Sequence, residues 1–117
     1  MRRSVLGNAH VERAEANKTE FDADFQEYIV ESVWGGIWSR PGLDKKTRHL
    51  LTIAMLAALG KEHELGLHIR ATKNTGVTRN EVKEVLLQVG VYAGIPAANS
   101  AIAVAKKVYA EMDEEGI

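Results

Sequence analysis

Glu64 and His68 stand four residues apart in "GKEHELGLHIRATKNTG", the stretch from Gly60 to Gly76. At about 100° of rotation per helical residue, the two side chains share a face one turn apart, within reach of a carboxylate–imidazole hydrogen bond. A carboxylate in that place raises the pKa of the imidazole and orients its ring, which prepares a general acid or a proton shuttle. The pair borders the stripe formed by Leu65, Ile69 and Thr72, at the edge of a core. The same spacing equally suits an exposed ion pair worth roughly 0.3 kcal/mol, and spacing alone leaves both readings open.

Other polar residues are sorted by the same geometry. His63 lies about 140° from His68 and cannot share its pocket, while Arg70, about 200° away, takes the opposite face. A structural salt bridge is the ordinary role for such an arginine. His10 and His49 have no partner within their own segments, and each reads either as a hydrogen-bonded or exposed histidine or as a second proton-transfer group. Glu64 and His68 also give two ligands from one helix, with His10 or His49 as a third. Neither HExxH nor another compact ligand motif occurs, so no metal is expected.

"WGGIWSRPGL", Trp34 to Leu43, gathers both tryptophans, three glycines and Arg40 into one expected loop. Aromatic walls exclude water and an arginine grips a carboxylate through two parallel hydrogen bonds, so the loop suits a small-anion pocket. A hydrophobic plug between helices, with Arg40 capping carbonyls, fits the same residues. Arg48, one turn into the next helix, offers a second cation.

The elements that must position these groups are all helical. A chain of 117 residues with 45% apolar and 26% charged residues has the balance of one soluble globular domain, spanning residues 1–117. Its net charge of -1 and pI near 6.4 give no pull toward phosphates or anionic lipid, so neither nucleic acid nor membrane is an expected partner. Without cysteine, disulfides and thiol chemistry are excluded. No signal-peptide pattern is present and "LLTIAMLAALG" is too short to span a bilayer, so a cytoplasmic location is expected.

Two prolines, no strand-like alternation and recurrent start and stop signals predict five or six helices. A short helix falls around His10 to Glu15. Thr19 is the expected cap of a helix from Glu20 to Trp34 with Phe21, Phe25, Tyr28, Ile29 and Val33 on its buried stripe. Asp44 caps Lys45 to Leu59, which Gly60 closes; the next helix ends at Gly76; and "TRNE" at Thr78 to Glu81 forms a capping box for a helix to Ala93. Pro96 suits the first turn of a last helix that buries Ala101, Val104, Ala105, Val108 and Met112. From Leu50 to Leu59 only Thr52 is polar, and a helix apolar all round must be covered on every side. Gly90, Gly94, Ala97 and Ala98 allow close helix approach. Together they predict a homo-oligomer, the alternative being a central helix wrapped by its own neighbours.

Taken together, "RRSVLGNAHVERA", "WGGIWSRPGLDKKTRHLLTIAMLAALG" and "LHIRATKNTGVTRNEVKEVLLQVGVYAGIPAANSA" resemble the carboxymuconolactone decarboxylase family over nearly the whole chain. The resemblance implies an all-α subunit of the alkylhydroperoxidase D-like type, a ring-shaped assembly (homohexamer or homotrimer), and no cofactor. Redox members of that superfamily carry Cys-x-x-Cys followed by a histidine; here those positions read Lys61, Glu64 and His68, and His49 falls where the redox relatives tend to carry a glutamate. Thiol peroxidase chemistry through this helix is thereby excluded.

The implied reaction converts γ-carboxymuconolactone to β-ketoadipate enol-lactone and CO2, in the protocatechuate branch of aromatic catabolism. As the C–C bond breaks, electrons flow through the ring double bond to the lactone carbonyl, and the resulting dienolate is protonated on the carbon beside it. Such a site needs a cation for the retained acetate arm, a donor at the carbonyl oxygen and an acid for carbon. To meet these needs Arg40, joined by Arg48, is expected to hold a substrate carboxylate, Trp34 and Trp38 to help dry the pocket, and His68, poised by Glu64, to be the donor and acid. His49 or His10 can exchange roles with His68, and Asn99 reads equally as a further donor or as a polar contact between subunits. Two other readings stay open: a non-catalytic helical oligomer or binding protein of the same fold, and a related lactone hydrolase or isomerase.

Overall fold

The computed structural model describes all 117 residues, and every element in it is helical. Seven α-helices and one π-helix replace the expected five or six: α1 (Arg2–Leu6), α2 (Asn8–Ala16), α3 (Ala23–Tyr28), the π-helix Ile29–Ile37, α4 (Lys45–Ala58), α5 (Glu62–Thr75), α6 (Arg79–Tyr92) and α7 (Ile95–Glu115). No helix is long and apolar enough to cross a membrane.

Helices α4 to α7 close a four-membered bundle in which α5 and α6 each touch both α4 and α7. Its core interleaves Ile53 of α4, Leu65 and Ile69 of α5, Val82 and Leu86 of α6, and Ala101 and Val108 of α7. The stop signals work as the sequence predicts. Asp44 accepts the Thr47 amide to start α4, and Thr78 and Glu81 satisfy each other's backbone amides at the head of α6. Gly76 ends α5 at φ 80°, a left-handed turn in which a Cβ would collide with the following carbonyl.

Three expectations need correction. The helix expected from Glu20 to Trp34 begins at Ala23, because the Asp22 carboxylate takes both the Thr19 amide and the Thr19 hydroxyl and so closes a turn first. It then widens into the π-helix, which carries the chain through Trp34 to Ile37, into what the sequence suggests is loop. Glycine permits this: a Cβ on Gly35 would sit 3.2 Å from the Val30 carbonyl, five residues back, where the π ladder needs room. Of the stripe expected to be buried, Ile29 packs against the tryptophan cluster, but the rest is exposed, with Phe21 at 99% and Tyr28 at 62%. Gly90 serves the chain's own packing, since a Cβ there would meet the Ala98 methyl at 3.4 Å across the α6–α7 contact.

The N-terminal helices fold back over α5. Val5 is fully buried against Trp34 and Trp38, and Asn74 of α5 donates its amide to the Val5 carbonyl at 2.9 Å. Removing that donor leaves the carbonyl without its partner. Asn74→Ala should cost about 1–2 kcal/mol and speed amide exchange across residues 2–16 more than in the bundle core. Unchanged exchange in the arm would show that Val5 is held by packing alone.

Candidate active site

On α4 the residues facing the bundle recur every fourth position as His49, Ile53 and Ala57, so the first of them enters the interior on the same stripe as the core. His49 is completely buried. Its Nε2 lies 3.2 Å from Nδ1 of His68, and its Nδ1 lies 2.6 Å from the Thr75 hydroxyl. The two imidazoles meet edge to face, 5.2 Å between centroids at 72°. Trp38 covers the other flank of His49 at 6.1 Å, and Trp34 packs on Trp38 at 5.1 Å. A wall of four aromatic rings thus runs from the π-helix to α5, with Nε2 of His68 at its open end, unbonded within the chain and not sealed from solvent.

Burial dominates the electrostatics. It drives the His49 pKa down to about 4, with the neighbouring His68 charge acting in the same direction. His68 is also held below its ordinary value, first by burial, then by His10, with only Glu64 opposing. His10 is lowered by burial and by Arg13 and Arg2. The sequence expectation of a histidine raised by a bonded Glu64 is therefore corrected. Glu64 is exposed, and the hydrogen bond expected of it goes to His49 instead. Both imidazoles are neutral near pH 7.

The candidate arginines differ. Arg40 is exposed on the turn after the π-helix, and its carbonyl accepts a long 3.4 Å contact from Nη2 of Arg48. Arg48 is half-buried, and its Nε is buried with no hydrogen-bond partner. Trp34 and Trp38 are buried as a wall. His63 and Arg70 do face away from His68: both line an open groove of about 700 Å³ between α5 and α7, where Arg70 pairs with Glu111 and Glu115. Asn99 opens onto that groove too, so it is not placed to donate into the histidine site. No three histidine, aspartate or glutamate side chains converge as a metal-binding group.

Thr75 is the residue that sequence reasoning passed over. It follows His68 by seven positions, two helical turns, and so shares its face; that signal was readable. What was not readable is that His49, from another helix, lies between them.

Comparison with known proteins follows the same segments. The model of a family described as the carboxymuconolactone decarboxylase family matches residues 23–107. A 4-carboxymuconolactone decarboxylase of Acinetobacter baylyi is 48% identical over 112 residues, 96% of this chain and 84% of that protein. A nitrosuccinic acid decarboxylase of Metarhizium robertsii is 42% identical over 116 residues, 99% of this chain and 81% of that protein.

The lowered histidines make stability depend on pH. Unfolded histidines titrate near 6.5 and folded His49 near 4, so between these values the unfolded chain binds more protons and stability rises with pH. His49→Gln should remove part of that dependence: the contribution, at most about 3 kcal/mol, is complete above pH 6.5 and lost as pH falls toward 4. Denaturation curves across this range check it, and parallel pH profiles for both proteins would contradict a neutral buried His49.

Proposed function

This chain belongs to the carboxymuconolactone decarboxylase family, and on that premise we propose that it is a carboxy-lyase converting 4-carboxymuconolactone to β-ketoadipate enol-lactone and CO2. The observation that carries the reading is a neutral, desolvated His49–His68 pair with one imidazole nitrogen left open, in a chain 48% identical over almost its full length to such a decarboxylase.

The substrate brings two carboxylates. One, on the acetate arm, pairs with the Arg48 guanidinium, whose Nε has no partner within the chain, assisted by Arg40 and His10. The incoming negative charge raises the His68 pKa, so His68 takes up a proton from water on binding. The bond from the ring carbon to the other carboxylate then breaks and CO2 leaves. Its electron pair moves through the ring double bond onto the lactone oxygen, where the Nε2–H of His68 stabilises the developing oxyanion. The same nitrogen gives its proton to the ring carbon beside the carbonyl, and His68 returns to neutral. Trp34 and Trp38 keep the site dry; Glu64 adds a favourable charge from one turn away. The conjugated lactone receives the electron pair itself, so this sequence of steps uses no cofactor.

A second reading has its own support in the Metarhizium relative. An α-nitro dicarboxylate loses CO2 by the same electron flow, with the nitro group as the sink, and needs the same cation and acid.

Two further features belong to the proposal. The chain self-associates into a ring, hexameric or trimeric, supported by the apolar faces left bare on one subunit: Leu51, Met55 and Leu59 on α4, and Phe21, Phe25 and Tyr28 on the helix before the tryptophans. The α4 face lines an apolar groove of about 470 Å³ with α6. The location is cytoplasmic, consistent with an acidic small-molecule substrate and no membrane-spanning helix.

Assays of CO2 and product from 4-carboxymuconolactone and 2-nitrosuccinate, each against its uncatalysed rate, separate the two readings; no catalysed release from the lactone overturns the first. His68→Ala should lower kcat at least ~100-fold, and Glu64→Ala only a few-fold. Arg48→Met should raise KM about tenfold or more and Arg40→Met less, and the reverse order would reassign the carboxylate. In sedimentation, Met55→Glu should shift the protein toward smaller species; a wild-type monomer at micromolar concentration would contradict the assembly.

A further inference from the structure

We propose that Thr75 is a positioning residue that locks His49 in the tautomer carrying its proton on Nδ1, so that the His49 Nε2 lone pair faces His68 and can support it as an imidazolium. The proposal rests on the reading of His68 as the acid.

The chain of contacts can be satisfied in two directions. In one, the Thr75 hydroxyl donates to Nδ1 of His49, whose Nε2–H then donates to Nδ1 of His68. His68 is then restricted to one proton, since a second on Nδ1 would point at an N–H. In the other, Thr75 donates back to the Thr72 carbonyl at 3.4 Å and accepts the Nδ1–H of His49 at 2.6 Å. His49 Nε2 is then a pure acceptor at 3.2 Å from His68 Nδ1, and His68 can hold a proton on both nitrogens. Only the second arrangement permits the acid. A hydroxyl suits the end of the chain because it accepts from His49 while sending its own hydrogen elsewhere, and His49, wholly buried, has no water to replace it. The oxygen is also fixed in place, since Thr75 is the last residue of α5 and the left-handed Gly76 follows it, donating its amide to the same Thr72 carbonyl at 3.0 Å.

Thr75→Val keeps the shape and deletes the acceptor; Thr75→Ser keeps the hydroxyl. Imidazole ¹⁵N spectra of the whole protein read the tautomer without substrate, and steady-state kinetics on 4-carboxymuconolactone read the consequence. We expect His49 to be protonated on Nδ1 in the wild type and in Thr75→Ser, and on Nε2 in Thr75→Val. The valine variant should lose about tenfold in kcat with KM within about twofold, and the serine variant should recover to within about threefold. A wild-type His49 protonated on Nε2, or a valine variant with unchanged tautomer or kcat, overturns the proposal. A wild type that releases no CO2 sinks the decarboxylase reading instead, and the spectra then decide the role of Thr75 on their own.

Discussion

A fully buried imidazole whose hydrogen-bond partners are a threonine hydroxyl and a second imidazole is the constraint around which this molecule is organised. A charged His49 in that position would have no counter-ion, so the interior keeps it neutral, and a neutral His49 can only donate from one nitrogen and accept at the other. Whatever reaches the open nitrogen of His68 is therefore felt through a relay of hydrogen bonds ending at the last residue of α5. Moving α4 against α5 by an ångström would break a 3.2 Å contact into no contact at all. The site demands a rigid four-helix frame for that reason.

The rest of the chain supplies the frame and its cover. Capped helix starts at Asp44 and Thr78 and the glycine stop at Gly76 fix where α4, α5 and α6 begin and end, and thereby the heights at which His49, His68 and Thr75 stand. The π-helix brings Trp34 and Trp38 onto one surface, and the N-terminal arm, tied by Asn74 to Val5, presses on both rings. Desolvation of the histidines is thus produced by segments distant in sequence. The apolar faces of α4 and of the helix before the tryptophans remain bare on a single chain, which is where a second copy would complete the enclosure.

Much of this was legible in the residues. Caps, glycine stops and the apolar stripes of α4 to α7 are local signals, and the structure follows them to within a residue or two. The face shared by Glu64 and His68 was readable, as was the exclusion of His63 and Arg70 from it. Three things were not. The π-helix depends on a missing Cβ at Gly35 and looks in sequence like a loop. The stripe from Phe21 to Val33 has the pattern of buried residues, yet only Ile29 packs within the chain, against the tryptophan cluster, and Phe21, Phe25, Tyr28 and Val33 stay exposed. The partner of His68 comes from another helix, and a strong i,i+4 signal to Glu64 drew attention from a contact that only packing reveals. The direction of the His68 pKa shift is the reverse of the expected one for the same cause, because it follows burial and not the nearest carboxylate in sequence.

In the proposed reaction an anionic ligand converts a neutral His68 into its acid form. Proton uptake on binding tests it most directly, by calorimetric titration of the enol-lactone product near pH 7 in buffers of different ionisation enthalpy. Uptake of about one proton is expected for the wild type and close to none for His68→Gln. Binding without proton uptake in the wild type would contradict it.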